Sequence, residues 1–237
     1  MPVAIIPARL ESTRLPRKML ADIGGEPLIV CTWRRVVAAN VADRIVVATD
    51  NDEIVAAIVH AGGEVVRTGV CANGTVRVAE AARALQLAPD VVILNVQGDE
   101  PLVHPQTLHS VVNTLAAGGE IATGAAELSE AEATNPARVK IVATQGRALY
   151  FSRSPIPHGG PFCVHVGVYA YTNAALQRIV AYPVHALERA ESLEQLRWLA
   201  HGEMIVVAQV AAPGPSVDTA EDLALVRQIV AREAGYG

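Results

Sequence analysis

Val91-Val92-Ile93-Leu94-Asn95-Val96 runs directly into Gln97-Gly98-Asp99-Glu100-Pro101. A short apolar run rich in β-branched side chains asks for a strand covered on both faces, and such strands belong to parallel sheets. Matching runs lie upstream at Val3–Ile6 and Arg44–Ala48, with a shorter one at Glu64–Arg67. Between and after them come stretches with helical periodicity: Pro27–Ala39, Asn51–Ala61, Thr75–Leu85 and Pro105–Ala117. Strand and helix alternating at this spacing predict an α/β fold built on a mostly parallel, doubly wound sheet.

The pattern changes after Gly118. Ile121–Glu127, Val139–Ala143 and Ala148–Ser152 read as strands with short connections, and Val164–Thr172 alternates as a half-buried strand does. Leu187–Ala200 reads as a helix, Met204–Gln209 as a strand, and Thr219–Ala234 as a terminal helix capped by Asp218. Nothing reads as a linker or a repeat. One domain over residues 1–237 is therefore expected, with the part after about 117 carrying the elements that close a site.

Composition narrows the class. With 51% hydrophobic and 18% charged residues, the chain is neither disordered nor a coiled coil. No apolar run reaches the roughly 18 residues of a membrane span. The N-terminus lacks a basic leader region and Arg9 interrupts its apolar run, so a cytoplasmic protein without membrane attachment is expected. A net charge of −5 excludes a general attraction to nucleic acid or anionic lipid. Cys31, Cys71 and Cys163 form no C-x-x-C pair and are expected as reduced thiols. Of the 19 basic residues only Lys18 and Lys140 are lysines. A compact ammonium is not interchangeable with guanidinium where a point charge is required, so these two stand out.

The loop after the first strand concentrates charge: Arg9, Arg14, Arg17 and Lys18 fall within ten residues. Ligands of open α/β sheets bind beyond the carboxyl ends of the strands. A cationic loop there suits a polyphosphate, arginine forks matching phosphate oxygens; a solvated surface loop is the alternative. The acidic pair Asp99-Glu100 follows the fourth strand at the same sheet edge, either as helix caps or as carboxylates for magnesium, which takes much of its shell from substrate phosphates. Val217-Asp218-Thr219-Ala220-Glu221-Asp222 reads as a capping motif or as a further metal ligand. Neither a P-loop nor a dinucleotide fingerprint occurs.

Six motifs stand in one order: P-A-R-x-x-S-T-R-L-P-x-K from Pro7, N-V-Q-G-D-E-P from Asn95, Y-F-S-R-S-x-I-P from Tyr150, H-x-G-x-Y from His165, L-E-x-x-E-x-L-E-Q-L-R from Leu187 and V-D-T-x-E-D-L from Val217. In these the chain resembles the 3-deoxy-manno-octulosonate (Kdo) cytidylyltransferases over nearly its whole length. The resemblance implies a Rossmann-like nucleotidyltransferase, a homodimer, and transfer of CMP from CTP to an anionic acceptor with loss of pyrophosphate, aided by Mg2+. It implies a smaller β-containing part for the acceptor and for dimerisation; residues of about 1–117 are expected as the nucleotide-binding half and 118–237 as the acceptor and closing half. It implies that Arg9, Ser12, Arg14 and Lys18 hold the triphosphate, and that Pro7, Ala8, Asn73, Gly74, Thr75 and Arg77 line the cytidine pocket beside Gly98. Asp99 and Asp218 would bind the metal. Gln97, Lys140, Arg153, His165, Glu188 and Gln195 would surround the acceptor, with Arg14, Lys18 and Asp99 central to catalysis. Plain alternatives stand beside some of these: His165 as a packed strand residue, and Glu188, Glu191 and Glu194 as the wet face of a helix, Glu191 above all.

The departures from the family fall mainly on the acceptor side. Asn73-Gly74-Thr75-Val76-Arg77 stands where the family has S-G-T-[DE]-R, and Arg17 replaces the glycine of L-P-G-K-P. The segment His158–Val164 is short, and Val164 replaces a basic residue before the histidine. Two acceptors are therefore weighed, a Kdo-like sugar acid and a small phosphonate of the phosphonoformate type. A uridylyl- or guanylyltransferase would carry a glycine-rich first loop. A glycosyltransferase would carry D-x-D, and a non-catalytic regulator would not need the full set of phosphate and metal residues.

Overall fold

The computed structural model describes residues 2–12 and 14–235. The chain packs as two compact units, one built from the chain up to Pro105 together with the stretch from Gly214 onward, the other from Gln106–Pro213.

In the first unit, β1 (Val3–Pro7) is followed by a small hairpin of β2 (Asp22–Ile23) and β3 (Glu26–Pro27), then α1 (Leu28–Ala39), β4 (Arg44–Thr49), α2 (Asp52–His60), β5 (Glu64–Arg67), α3 (Gly74–Ala84) and β6 (Val92–Asn95). The strands lie in the order β5-β4-β1-β6. The pairs β1–β4, β1–β6 and β4–β5 are all parallel. The expected sheet is present, and its driving force is plain: Ile5, Ile6, Val46, Val47, Ile93 and Leu94 have no exposed surface. Each such side chain contributes roughly 1.5–3 kcal/mol by leaving water.

The strand order sets the position of the site. The chain moves outward from β1 to β4 and β5, then returns to lay β6 on the other side of β1. Connections therefore leave the carboxyl ends of β1 and β6 in opposite directions, which opens a crevice between them.

Helix caps are built locally. Asn51 Oδ1 accepts from the Glu53 and Ile54 amides at the start of α2, and Asn73 Oδ1 accepts from the Val76 amide at the start of α3. Asn73 thus keeps the capping chemistry of the serine it replaces. At the C-terminal helix (Ala220–Gly235) the cap is Thr219 rather than Asp218. Thr219 Oγ1 accepts from the Asp222 amide while Asp222 Oδ2 accepts from the Thr219 amide, a reciprocal capping box. Asp218 is relieved of the capping role.

The second unit contains α4 (Pro105–Ala116), β7 (Ile121–Leu128), α5 (Glu130–Ala133), β8 (Lys140–Thr144), β9 (Arg147–Ser152), β10 (Phe162–Thr172), α6 (Asn173–Ala181), α7 (Ala186–Glu191), α8 (Gln195–Ala200) and β11 (Ile205–Gln209). Its strands run β10-β7-β11-β9-β8, and β8 returns to β10 at Val164↔Lys140. The sheet is mixed: β7–β11 is parallel, whereas β7–β10 and β8–β9 are antiparallel.

Two expectations change here, and one helix, α6, is added that the sequence reading did not contain. The alternation of β10 stops at a register shift between Val166 and Tyr169, after which Val168–Tyr171 is buried on both faces. The strand ends at Thr172, whose hydroxyl caps α6 by accepting from the Ala175 amide, so no turn signal in the sequence separates the two. The helix expected over Leu187–Ala200 is broken into α7 and α8 at Ser192, which is left-handed at φ 53°. Arg153 donates to the carbonyls of Glu191 and Ser192, so these oxygens are drawn away from a continuing helix.

Candidate active site

A cleft of about 770 Å³ opens in the first unit at the ends of β1 and β6. Its walls come from the loop after β1, the start of α3, the residues after β6, and Asp218. Pro7, Ala8, Arg9, Ser12, Arg14 and Lys18 line it from the first of these. Asn73, Gly74 and Arg77 line it from α3, and Gln97, Gly98 and Asp99 from the end of β6. Thr75, buried in the first turn of α3, stands behind that wall. The structure thus brings together the nucleotide and metal candidates, and Gln97 with them.

Lys18, buried in the cleft wall, joins its two carboxylates. Its ammonium donates to Asp99 Oδ2 at 2.6 Å, Asp218 Oδ1 at 2.9 Å and the Val217 carbonyl at 3.0 Å. Burial alone would lower the pKa of this amine. The Asp99 charge and the bonds to both carboxylates outweigh that and hold it above the ordinary lysine value. Arg14 adds a second cation to Asp218 at 3.0 Å. The Val217 amide donates to the Asp99 carbonyl at 3.0 Å, so the segment carrying Asp218 is fastened to the end of β6 through backbone as well.

Gly98 is required for close approach, and Gly74 is closely packed. A Cβ on Gly98 would meet the Pro7 carbonyl at 2.9 Å and Ile29 at 3.0 Å, and one on Gly74 would meet Gln97 Oε1 at 3.2 Å. Arg77 is buried, paired to Asp50 at 3.1 Å and donating to Thr68. Its guanidinium fixes the cleft wall against the ends of β4 and β5.

Asp99 and Asp218 present oxygens within 3 Å of one point, which Lys18 Nζ marks. Among the described residues no group of three or more His, Cys, Asp or Glu converges on a metal position. Two carboxylates fit Mg2+, which characteristically takes one or two from the protein and the rest from water and substrate phosphate.

Lys140, Arg153, His165, Glu188 and Gln195 belong to the second unit. Lys140 is fully buried and donates to the carbonyls of Asn135 and Arg153, at 3.0 and 2.5 Å. Burial, and then the Arg153 charge, lowers its pKa. Arg153 donates to the carbonyls of Glu191, Pro136 and Ser192. Glu191 accepts from Ser152 Oγ at 2.7 Å and the Arg153 amide at 2.8 Å. It is therefore no wet-face residue but the anchor between α7 and the end of β9. Glu188 pairs with Arg197 at 3.4 Å, and Gln195 is buried.

His165 packs edge-on to Phe151 and beside Tyr169. Its Nε2 lies 2.9 Å from Thr123 Oγ1, which also bonds the carbonyls of Val166 and Val168. The hydroxyl has one hydrogen, and a carbonyl takes it, so the ring donates from Nε2. Desolvation pushes the imidazole pKa down to about 4. The unfolded chain, with an ordinary histidine, binds the extra proton between pH 6.5 and 4 and the folded chain does not. This contribution to stability is full above pH 6.5 and is lost as pH falls toward 4. His165→Gln, which keeps a donor for Thr123, is expected to lose about 2 kcal/mol less than wild type between pH 7 and pH 4.5 in urea titrations. Parallel losses in the two proteins would mean that the ring titrates normally.

A doubly wound sheet with a cationic loop and converging carboxylates at its switch point is the frame of a nucleotidyltransferase. The cytidylyltransferase family model matches residues 3–205, and the chain belongs to that family. It is 46% identical to a 3-deoxy-manno-octulosonate cytidylyltransferase of Chlorobium luteolum, over 97% of both chains. It is likewise 46% identical to a protein of the same name from Anaeromyxobacter dehalogenans, over 97% of this chain and 98% of the relative. Among solved structures it superposes on a CMP:2-keto-3-deoxy-manno-octonic acid synthetase complexed with CTP. That match has a TM-score of 0.92 at 37% identity and covers 98% of this chain and 99% of the other. The Rossmann-like nucleotidyltransferase fold expected from sequence is the fold found.

Proposed function

We propose that this enzyme transfers CMP from CTP to 3-deoxy-manno-octulosonate, releasing pyrophosphate, and that it works with Mg2+ as a cytoplasmic homodimer. The observation that carries the acceptor is the end-to-end similarity to proteins named for that sugar acid. This favours Kdo over the small phosphonate that the trimmed segment before His165 also suggests. No helix of the described residues is long and apolar enough to cross a membrane.

In the reaction an acceptor hydroxyl oxygen gives up its proton to water and bonds the α-phosphorus of CTP as the bond to the β-phosphate oxygen breaks and pyrophosphate leaves. Most of the protein's task is positioning and charge compensation. Arg9, Ser12, Arg14 and Lys18 hold the triphosphate. Pro7, Ala8, Asn73, Gly74, Thr75 and Arg77 shape the cytidine side, and Gly98 lets the backbone approach. Asp99 and Asp218 hold Mg2+, which when bound offsets the charge of the triphosphate and of the departing pyrophosphate. Gln97, His165, Glu188 and Gln195 serve the acceptor. Arg153 serves it by fixing the end of β9 to α7, and Lys140 by tying the Arg153 carbonyl to that of Asn135, since the donors of both are committed to backbone carbonyls.

Pyrophosphate release from CTP and Mg2+ tests the reading. Release with Kdo and none with phosphonoformate is expected. Release with phosphonoformate alone would transfer the enzyme to the second acceptor class.

A further inference from the structure

Arg17 is left-handed at φ 57° and ψ 27°, a backbone conformation that suits glycine and strains an arginine. Something must hold it. Its guanidinium grips the Glu53 carboxylate with two parallel bonds, Nη1 to Oε1 at 2.9 Å and Nη2 to Oε2 at 2.5 Å. Both side chains are more than half exposed, at 56% and 52%, so water screens the pair and the grip is light. Arg17 also lines the cleft and immediately precedes Lys18.

The Arg17 hydrogen bond lowers the Glu53 pKa, but a half-exposed carboxylate stays ionised at neutral pH without it. Glu53 occupies the first turn of α2, where the helix N-terminus favours negative charge, and its amide is already capped by Asn51. Releasing the arginine therefore leaves no stranded charge. The fork-on-fork geometry with a carboxylate is also the geometry in which guanidinium binds two phosphate oxygens. A triphosphate in the cleft would offer several such oxygens and a larger charge than one carboxylate.

We propose that Arg17 is a further triphosphate-binding residue, held by Glu53 in the free enzyme, and that it exchanges the carboxylate for phosphate oxygens when the nucleotide enters. The proposal rests on the reading of the cleft as a CTP site.

Two substitutions separate this exchange from a simple strap. Glu53→Gln removes the competitor and is expected to tighten CTP binding by roughly three- to fivefold. Arg17→Gly, which relaxes the left-handed position, is expected to weaken CTP by a similar factor. Neither should change CMP binding, which lacks the outer phosphates, and the double variant should match Arg17→Gly. Calorimetric titration of the full chain with CTP and with CMP reads all four proteins. If Glu53→Gln weakens CTP as Arg17→Gly does, the pair is only a strap and the exchange is overturned. If both variants bind CTP as wild type does, Arg17 does not touch the nucleotide. A wild-type protein that fails to bind CTP would remove the nucleotide reading itself, and this proposal with it.

Discussion

Asp99→Asn is expected to lower turnover by about a thousandfold or more with the fold intact. Asparagine keeps the shape of the side chain and an oxygen that can still accept from Lys18. The backbone bond from the Val217 amide to the residue 99 carbonyl does not depend on the side chain. The Lys18 ammonium also retains Asp218 and the Val217 carbonyl as partners. Loss of one charge in a partly solvated pair costs about 1 kcal/mol, a fall in melting temperature of roughly 2–4 °C for a chain of this size. What is lost is a full negative charge at the point where the cation and the reacting phosphate would meet. Pyrophosphate release and thermal unfolding measured on the same preparation check both halves. An active Asp99→Asn enzyme would mean that Asp99 serves only to seat Lys18.

How much of this was legible before the structure depends on how far apart the interacting residues lie in the chain. The first sheet is readable because β1, β4 and β6 are short apolar runs rich in β-branched residues and alternate with helical stretches, the pattern of strands buried on both faces. The basic loop and Asp99 are readable because each is a short contiguous stretch at a strand end, and the topology makes strand ends the site. Glu191 is the opposite case. Its spacing from Glu188 and Glu194 reads as a solvated helix face, yet its partners are Ser152 and Arg153, 39 and 38 residues away. The break between α7 and α8 has the same origin. Serine is no strong helix breaker, and Ser192 turns left-handed where Arg153 reaches the carbonyls around it. Arg17 shows a third limit. From sequence it is one more cation beside the phosphate loop; only the fold reveals that Glu53, 36 residues on, neutralises it.

Lys18→Ala should damage both stability and turnover, and its response to metal discriminates between explanations. The ammonium is the positive charge shared by Asp99 and Asp218. Without it two carboxylates face one point, with Arg14 remaining on Asp218. Removing one partner of a buried ion pair costs several kcal/mol; here about 2 kcal/mol is expected, because Asp218 is 35% exposed and partly solvated. The melting temperature should fall by roughly 4–8 °C, and turnover by a factor of about 100 to 1,000. Lys18→Arg should rescue neither, since a planar guanidinium cannot place one compact charge between two carboxylates and the Val217 carbonyl. Mg2+ should raise the melting temperature of Lys18→Ala more than that of wild type, because in wild type the ammonium already occupies the oxygens that the ion would use. Equal shifts in the two proteins would place the metal elsewhere, and a fully active Lys18→Arg enzyme would show that any cation suffices at this position.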